Sequence, residues 1–468
     1  MTTLHETVEV NRPIGEVFDY VSDLTAKPEW CTTVLTAHKL KPGAIAVGTE
    51  FELVSALPVG RVAIRYRVVD LKPNKLIVLA GRSKFFDVRE EISLSPSGNR
   101  TLLSYRAAFD FKPLLKPFVS LVQSRLQKMG RESVAGLGVA LEDNFPVKAT
   151  SKFNQHADKM VLPGLTLFSR LGYTLGSKHF NPISASVRGK HMVVTGATAG
   201  IGYACAKEFA RRGAQVTIIA RNEGKASATV AELELETGNS DIRYELADLS
   251  LMADVDKLIA LLLHRGKPID VLVNNAGALF NPRSLTQEGL EQSHALLLLS
   301  PCRLTEGLKP LLMEASAARV INVVSGGMYS QKLDVDALQN NDGEKYSGSV
   351  AYAREKRALM VLTQEWAQNW ASDGIVVNAM HPGWADTPGV QNALPVFRKL
   401  TKYILRSALE GADTIVWLAI ATESGKISGK LFLDREVRST HLLKRTRESE
   451  RERRQLIDYL TESSMMGA

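Results

Sequence analysis

The sequence has few cysteines and no long apolar run. Only Cys31, Cys205 and Cys302 occur among its 468 residues. They are isolated, odd in number and without metal-ligand spacing, so they favour a reducing cytoplasm over a disulfide framework, and no metal site is expected. No stretch approaches the roughly 20 apolar residues that a membrane-spanning helix needs. The start, MTTLHETVEV, lacks the basic residues and apolar run of a secretory signal.

Positive charge is in excess, and most of the excess is local. The formal net charge is +8. Residues 146–190 contain seven Lys and Arg, with Asp158 as their only acidic residue. A nucleic-acid-binding protein would show a basic face with aromatic platforms or a known module. The sequence shows neither, so we expect no nucleic-acid partner.

The chain length and changes in pattern divide the sequence. At roughly 150 residues per domain, two or three domains are expected. We predict an N-terminal domain over 1–145, a basic connector over 146–187, a second domain over 188–440 and a charged helical tail over 441–468. Because Lys444–Leu460 is a dense mixture of Arg and Glu, we expect a solvated helix held by close opposite charges.

The first 145 residues alternate like strands of an antiparallel sheet. Turn signals such as KPG, KPN and SPSGN separate the segments. An amphipathic helix is predicted over Ile14–Ser22, and a long closing helix over Leu114–Leu141. The predicted strands are Leu4–Val10, Thr49–Val54, Val62–Val69, Lys75–Ala80, Val88–Leu94 and Thr101–Phe109.

This order of elements resembles the START-like, polyketide-cyclase-type helix-grip fold. The resemblance covers about 145 residues and implies an α+β domain whose sheet wraps the long helix. It also implies an apolar cavity for a lipid or polyketide-like ligand. A small α+β domain without a ligand is the alternative.

The basic connector contains an amphipathic stretch over Met160–Leu175. A helix lying on an anionic membrane surface is one interpretation. The other is a linker helix packed against the following domain. Since Gly164, Gly172 and Gly176 weaken a long helix, the pattern favours the packed linker and leaves a peripheral membrane contact open.

From Gly189 onward, apolar strand-like runs alternate with helical patterns. Near-continuous apolar strands separated by helices predict an α/β fold, a parallel sheet covered on both faces. The predicted strands are Met192–Thr195, Val216–Ala220, Ile242–Leu246, Val271–Asn274, Val320–Val324, Ile375–Ala379 and Lys430–Leu433.

A glycine-rich turn, TGATAGIG, joins the first of these strands to a helix. Gly196 permits a turn that a Cβ would obstruct, and Gly200 lets backbone amides approach a pyrophosphate. Gly202 lets the helix pack close to the sheet. Because the helix N-terminus offers free N–H groups to phosphates, this context predicts a dinucleotide site rather than a structural turn alone.

Two residues at the next strand ends bear on the choice of cofactor. Arg221 lies where an NAD-preferring site usually has an acid, and its guanidinium suits a 2′-phosphate. NADP(H) is therefore favoured over NAD(H). Asp248 is predicted to accept a hydrogen bond from the adenine amino group, with a helix N-cap as the alternative.

Tyr352 and Lys356 lie four residues apart, on one face of a predicted helix. A nearby ammonium is expected to lower the pKa of the phenol and to make it usable as an acid and base. Ser325, at the end of a predicted strand, is expected to polarise a substrate carbonyl. A strand-end turn serine is the alternative for Ser325.

Together these segments resemble the short-chain dehydrogenases/reductases over about 270 residues. The matching segments are TGATAGIG, Val273–Gly277, Ser325, the Tyr352/Lys356 pair and His381–Gly383. The resemblance implies a Rossmann-type doubly wound sheet, Tyr352 as proton donor, Lys356 on the nicotinamide ribose and Ser325 on the carbonyl. The residues expected at the cofactor are Thr195, Gly196, Gly200, Ile201, Gly202, Arg221, Asp248, Asn274, Ala276, Gly277, Tyr352, Lys356, Pro382, Gly383 and Thr387.

One position departs from the family pattern. The family usually has an asparagine in the helix that follows the strand end Asn274–Gly277, where it serves a water-linked proton relay. Leu297 aligns with that asparagine in this sequence. His294 lies one turn away, and Ser300-Pro301 interrupts the helical pattern.

The leading hypothesis is an NADP(H)-dependent carbonyl reductase or alcohol dehydrogenase for a small hydrophobic substrate. The alternative is a catalytically weak NADP(H)-binding module beside a lipid-binding domain; a homo-oligomer stays open.

Overall fold

A computed structural model describes residues 2–31, 33–57, 60–98, 100–113, 119–142, 167–339, 346–387, 391, 398–399 and 401–465. The described residues divide into two compact units. The first unit takes its residues from 1–145, 181–186 and 235–238, and the second from 146–180, 187–234 and 239–468.

The first unit contains one antiparallel sheet and a long helix. The strands of the sheet are β1 (Thr2–Val10), β2 (Val34–Lys39), β3 (Glu50–Leu57), β4 (Gly60–Lys72), β5 (Leu76–Arg82), β6 (Phe86–Ser97) and β7 (Arg100–Phe111). They lie in the order β1-β7-β6-β5-β4-β3-β2. Its helices are α1 (Ile14–Ser22), α2 (Lys27–Trp30) and α3 (Val119–Glu142). The predicted α+β helix-grip class is confirmed.

Strand β2 is the element of this sheet that the sequence did not predict. It lies at the sheet edge, and after Val34 its side chains are exposed or only partly buried. Since only one of its faces contributes to the core, and only weakly, it lacks the apolar alternation that marks the other strands. The first part of the predicted long helix, residues 114–118, lies outside the described residues.

Glycines allow α3 to approach its neighbours closely. A Cβ at Gly138 would lie 2.9 Å from Val8 Cγ2 of β1, and one at Gly136 would overlap the Trp30 carbonyl oxygen. The same helix buries Leu137 and Leu141 in the core. The glycines therefore cost helix propensity but permit close packing.

A buried polar cluster interrupts this core. Lys27 is 4% exposed and Glu90 is 3% exposed. The Lys27 ammonium lies 2.6 Å from Glu90 Oε2, and the Tyr66 hydroxyl donates to Glu90 Oε1 at 2.5 Å. The buried indole N–H of Trp30 has no acceptor among the described residues. Glu90 occupies a row of inward-facing apolar residues on β6, a signal that is visible in the sequence.

The second unit is a doubly wound α/β domain. The strands of its sheet are β8 (His191–Thr195), β9 (Gln215–Ala220), β10 (Ile242–Leu246), β11 (Val271–Asn274), β12 (Arg319–Val323), β13 (Val376–Met380), β14 (Leu431–Leu433) and β15 (Glu436–Arg438). They lie in the order β10-β9-β8-β11-β12-β13-β14-β15. All neighbouring strands are parallel except the last pair. The predicted parallel sheet is confirmed.

Helices follow most of these strands. Helix α8 runs through three consecutive segments, Gln292–His294, Ala295–Leu299 and Ser300–Gly307. The others are α4 (Arg170–Ser177), α5 (Gly200–Arg211), α6 (Glu223–Thr237), α7 (Met252–Arg265), α9 (Lys309–Met313), α10 (Val335–Gln339), α11 (Gly348–Asn369), α12 (Ala408–Ile420) and α13 (Glu450–Met465). After β10 the chain crosses to the other side of β8, so the β8–β11 edge is the topological switch point.

Strand β15, which the sequence did not predict, pairs with β14 across a two-residue turn. Asp434 and Arg435 both have positive φ, at 55° and 57°. Asn-Gly is the usual sequence of such a turn. Here side-chain contacts hold the conformation instead, because Asp434 accepts from both terminal nitrogens of Arg406 and Arg435 pairs with Asp413.

The middle of α8 is a π-helical turn over Ala295–Leu299. The Ser300 N–H donates to the Ala295 carbonyl, five residues back. In a regular α-helix, Pro301 would clash with the Leu297 carbonyl and leave it without a donor. The wider turn explains how the Ser300-Pro301 pair stays inside a helix.

The C-terminal helix α13 is not simply solvated, which differs from the expectation for a charged tail. Leu456 and Leu460 are buried in the core of the second unit. The Tyr459 hydroxyl lies 2.6 Å from His294 Nε2. The charged residues occupy the other faces, and Arg453 pairs with Glu365 and Glu448. The apolar residues within the charged run therefore determine how this helix packs.

All three cysteines are buried free thiols. Cys31 Sγ lies 3.1 Å from Ser133 Oγ in the first unit. Burial raises the pKa of the Cys205 and Cys302 thiols in the second unit. Within the described residues, no helix has both the length and the apolar character needed to cross a bilayer.

We predict that Lys27→Met destabilises the chain by about 3–5 kcal/mol, because it leaves the Glu90 carboxylate buried without its cation. The double variant Lys27→Met/Glu90→Leu should recover much of that loss, since no buried charge remains. Urea unfolding measures both. The control is Lys112→Met, which removes a half-exposed ion pair with Asp87 and should cost less than about 1 kcal/mol. A Lys27→Met loss no larger than that of the control would contradict a stabilising pair.

Candidate active site

The glycine turn follows β8 at the switch point of the sheet. Gly196 and Gly200 have φ values of 65° and 58°, which favour glycine. A Cβ at Gly196 would lie 2.9 Å from Ala276 Cα, and one at Gly202 would lie 2.5 Å from Asn275 Nδ2. The turn therefore packs against the residues that follow β11 with no room for a side chain at these two positions.

Thr195 joins the same two strand ends. Its hydroxyl accepts from the Asn275 and Ala276 N–H groups, each at 2.9 Å. The Asn275 side chain returns a hydrogen bond to the Thr195 carbonyl at 2.8 Å. Thr195, Gly196, Ala276 and the adjoining Gly277 thus form one rigid edge.

The predicted cofactor residues at the following strand ends differ in their surroundings. Arg221 is exposed directly after β9 and makes no ion pair with a described acidic residue. The neighbouring Asn222 accepts from the Lys225 N–H of α6. Asp248 accepts from the N–H and hydroxyl of Ser250, at 2.9 and 2.7 Å, so one of its oxygens holds a turn. Asp248 is not the N-cap of α7, because that position is Leu251.

Asn274 is buried at the centre of the sheet. Its Nδ2 donates to Thr305 Oγ1 and Asn322 Oδ1, both at 2.8 Å. Asn322 in turn donates to Thr363 of α11 at 2.9 Å. This buried chain of hydrogen bonds ties β11 and β12 to the helix that carries Tyr352 and Lys356.

A small cavity with polar and apolar lining residues lies beside Lys356. Its volume is about 10 Å³, close to the least space that one water molecule needs. The buried Asn274 Oδ1 has no hydrogen-bond partner among the described residues. The cavity is lined by Thr195, Leu249, Asn274, Ala276, Leu296, Ser300, Pro301, Leu304, Lys356 and Leu359. Ser300 was not predicted as a site residue. The signal in the sequence was a polar residue directly after the four leucines 296–299.

Ser325, Tyr352 and Lys356 come together at the carboxyl ends of the central strands. Ser325 follows β12 and accepts from the Gly327 N–H at 3.2 Å. The Lys356 ammonium donates to the Val323 carbonyl at 2.7 Å and lies 5.9 Å from the centre of the Tyr352 ring. The helical spacing therefore places the cation next to the phenol.

The pKa shifts of this pair differ from the sequence expectation. Burial raises the pKa of Tyr352 to about 12, and a hydrogen bond with Ser325 opposes the rise. Burial also lowers the pKa of Lys356 to about 8. The expected lowering of the Tyr352 pKa by the ammonium is thus not found in the free chain, because removal from water dominates and the opposing contact comes from Ser325 and not from Lys356.

The loop after β13 is held by a segment outside the predicted domain boundary. Gly383 has a φ of 70°. A Cβ there would lie 2.6 Å from both Arg406 Nε and the Phe168 carbonyl oxygen. The Trp384 N–H donates to the same carbonyl at 2.8 Å. Pro382, Gly383 and the partly buried Thr387 thus lie on a loop packed against residues 167–169.

Arg406 is the missed residue that organises this region. Its buried guanidinium pairs with Asp434 and donates to the carbonyls of residues 167–169. The Phe168 ring lies 4.8 Å from the His381 ring, edge to face. These contacts favour the packed-linker interpretation for residues 167–177, whereas the predicted part before residue 167 lies outside the described residues.

His294 does not replace the asparagine that the family pattern would place at Leu297. Its Nδ1 lies 3.0 Å from Glu355 Oε2 and its Nε2 lies 2.6 Å from the Tyr459 hydroxyl. Burial lowers the pKa of His294, and the Glu355 and Glu291 carboxylates together more than offset this, so the net pKa is raised. Both ring nitrogens are engaged in this pair of contacts, away from the cavity.

Two family models match the chain. Residues 190–395 match the model described as short chain dehydrogenase, and residues 1–142 match the one described as polyketide cyclase / dehydrase and lipid transport. The chain is similar to dehydrogenase/reductase SDR family member 12 of Bos taurus, with 40% identity over 303 residues, 64% of this chain and 94% of the relative. The Homo sapiens protein of that name is 40% identical over 282 residues, 60% of this chain and 88% of the relative.

A more distant relative has a different name. Retinol dehydrogenase 13 of Homo sapiens is 31% identical over 263 residues, which are 54% of this chain and 78% of the relative. From these matches, the chain belongs to the short-chain dehydrogenase/reductase family. The predicted family, its enzyme class of NAD(P)-dependent oxidoreductases and the fused START-like domain are confirmed.

Proposed function

We propose that the chain is an NADP(H)-dependent oxidoreductase that interconverts a carbonyl and an alcohol on a hydrophobic substrate, with Tyr352 as acid and base. One observation carries the proposal. Ser325, Tyr352 and Lys356 converge beside the glycine turn, at the sheet edge where α/β folds bind ligands.

The residues around the glycine turn fit a dinucleotide. Ala199, the N-cap of α5, makes no side-chain capping hydrogen bond, so the first amides of the helix are available to a pyrophosphate. A Cβ at Gly196 or Gly202 would overlap neighbouring protein atoms, so these glycines keep the turn in the shape that presents the amides. Bound here, the nicotinamide cofactor supplies or accepts the hydride.

The three polar side chains have separate roles in this proposal. The Ser325 hydroxyl holds and polarises the substrate oxygen, and the Tyr352 hydroxyl donates a proton to it as the alcohol forms. Because the pKa of Tyr352 is raised to about 12, the phenol is protonated at neutral pH, the form that reduction requires. With a pKa of about 8, Lys356 is mostly charged at pH 7 and holds the nicotinamide ribose. Its charge is lost as the pH rises through that value.

Proton resupply must use groups other than Leu297. Ser300 and Asn274 Oδ1 line the space beside Lys356, whereas His294 is bound to Glu355 and Tyr459. We assign resupply to a water held between Lys356, Ser300 and Asn274.

The presence of Leu297 at the position of the family asparagine favours a second candidate function. This function is a catalytically weak NADP(H)-binding module coupled to the lipid-binding domain.

We predict that Tyr352→Phe lowers the rate of NADPH oxidation by about 100-fold or more with hydrophobic aldehydes and ketones, because the general acid is lost. Binding of NADPH should be retained, as fluorescence titration will show. The control is Tyr346→Phe, which removes a phenol that contacts Glu291 in the same unit. Equal rates for Tyr352→Phe and the unchanged chain would remove the catalytic assignment and favour the module.

Arg221 is proposed to select NADP(H) over NAD(H). We predict that Arg221→Gln weakens NADPH binding by about 10- to 100-fold, since it removes a charge-assisted hydrogen bond to the 2′-phosphate. NADH binding should not change. Arg243→Gln, on neighbouring β10 and paired with Asp241, is the matched control. An equal loss for both cofactors would contradict the selectivity role.

The first unit is proposed to bind the hydrophobic substrate or a related lipid. Its core contains polar groups suited to one polar end of an apolar ligand: Lys27, Glu90 and the Trp30 N–H that has no acceptor in the described chain. A ligand carbonyl would satisfy that donor.

We predict that the full chain binds decan-2-one and that Trp30→Phe weakens this binding by about 2- to 10-fold, the value of one neutral hydrogen bond. Calorimetry gives the affinities. Trp366→Phe, buried in the second unit beside Trp370, is the control. If both tryptophan variants bind the ketone equally, the ligand site is not at Trp30.

A further inference from the structure

We propose that one surface of the second unit docks on an anionic lipid bilayer. The surface, called the apolar patch, consists of five large side chains from three neighbouring segments. Their exposed fractions are 57% for Leu171, 54% for Leu175, 83% for Tyr403, 45% for Ile404 and 60% for Leu409. Such clustering is unusual for a surface that meets only water.

Hydrogen bonds join the three segments of the patch. The Arg170 N–H donates to the Ile404 carbonyl at 2.8 Å, so the start of α4 lies against residues 403–404. The Arg170 guanidinium lies 3.0 Å from Glu410 in the first turn of α12, next to Leu409. The three segments that carry the apolar side chains are therefore neighbours.

The orientation of α4 is fixed by its opposite face. The buried Gly172 packs on the Leu167 backbone, where a Cβ would overlap. The Tyr173 ring lies 5.6 Å from the Arg406 guanidinium and 5.8 Å from the Phe180 ring. Because these contacts hold one face inward, Leu171 and Leu175 point outward as a consequence of the fold.

The charges around the patch suit an anionic partner. Lys178, Lys399 and Lys402 are exposed and form no ion pair with an acidic side chain in the described part of the chain. The acidic Glu410 is neutralised by Arg170. Lys402 lies 4.7 Å from the centre of the Tyr403 ring, and tyrosine and lysine together suit the headgroup region. An apolar surface edged by lysines is what a bilayer with acidic headgroups binds.

The patch adjoins the loop that borders the candidate active site. The Arg406 N–H donates to the Trp384 carbonyl at 2.7 Å, and the Asp386 N–H donates to the Arg406 carbonyl at 2.8 Å. Ile404 lies two residues before this pairing. Docking would therefore bring the loop to the lipid surface, and a hydrophobic substrate could pass from the membrane to the site. This consequence, unlike the docking itself, rests on the proposed function.

The test is flotation of the full chain with vesicles of phosphatidylcholine, with and without phosphatidylserine. We expect binding to the anionic vesicles only, weakened by salt. Leu171→Gln/Leu175→Gln should lower the bound fraction about ten-fold, and Lys178→Gln/Lys402→Gln should lower it too. The control Leu285→Gln/Met313→Gln, which changes two half-exposed apolar residues elsewhere in the unit, should bind as the unchanged chain does.

Three results would overturn the proposal. The first is that the unchanged chain does not float with anionic vesicles. The second is that the patch and control variants lose the same fraction of vesicle binding. The third is that the patch binds a second copy of the chain, seen as dimers that dissociate in the patch variant. NADPH oxidation with a short, water-soluble aldehyde should be equal in all these variants. A failure in that assay with normal flotation would count against the enzyme and not against the docking surface.

Discussion

A buried guanidinium with fixed partners is the constraint on which the second unit depends. Arg406 is in the interior, where an unpaired charge is prohibitively costly, so its partners must stay in place. Asp434 neutralises it, and the three consecutive carbonyls of residues 167–169 accept from its Nε and Nη2. One side chain thereby fixes the turn before β15, the segment that precedes α4 and the loop after β13. The border of the candidate site and the orientation of the exposed leucines both result from this arrangement.

Burial has opposite effects on the two groups at the centre of the site. Removal from water disfavours whichever form is charged, so it holds the Tyr352 phenol neutral and makes the Lys356 ammonium easier to lose. The cation lies near the phenol, but its hydrogen bond goes to the Val323 carbonyl. In the free chain the phenol is therefore held in its protonated form. A negative group entering the site would be needed to favour the charged lysine more strongly.

Features that depend on local periodicity were predictable from the sequence. The apolar strands, the glycine turn and the i, i+4 spacing of Tyr352 and Lys356 each depend on nearby residues, and the structure has these elements within a few positions. The features that were not predictable depend on contacts between distant residues. Arg406 looks like any surface arginine until Asp434 is beside it, and the Asp434-Arg435 turn lacks the usual glycine. Edge strand β2 buries only Val34 fully, which is too little to produce a pattern. The sequence shows Glu90 as a charged residue among the inward-facing apolar residues of β6, but it does not show that Lys27 is its partner.

The buried thiols have a practical consequence. Cys31 lies in the core of the first unit, while Cys205 and Cys302 lie in that of the second. A maleimide reagent can reach none of them until the surrounding core opens. Modification of Cys31, read by mass spectrometry as denaturant is added, thus reports loss of the N-terminal fold, and modification of the other two reports loss of the nucleotide-binding fold. The three native thiols thus allow the unfolding of the two units to be followed separately in the same chain.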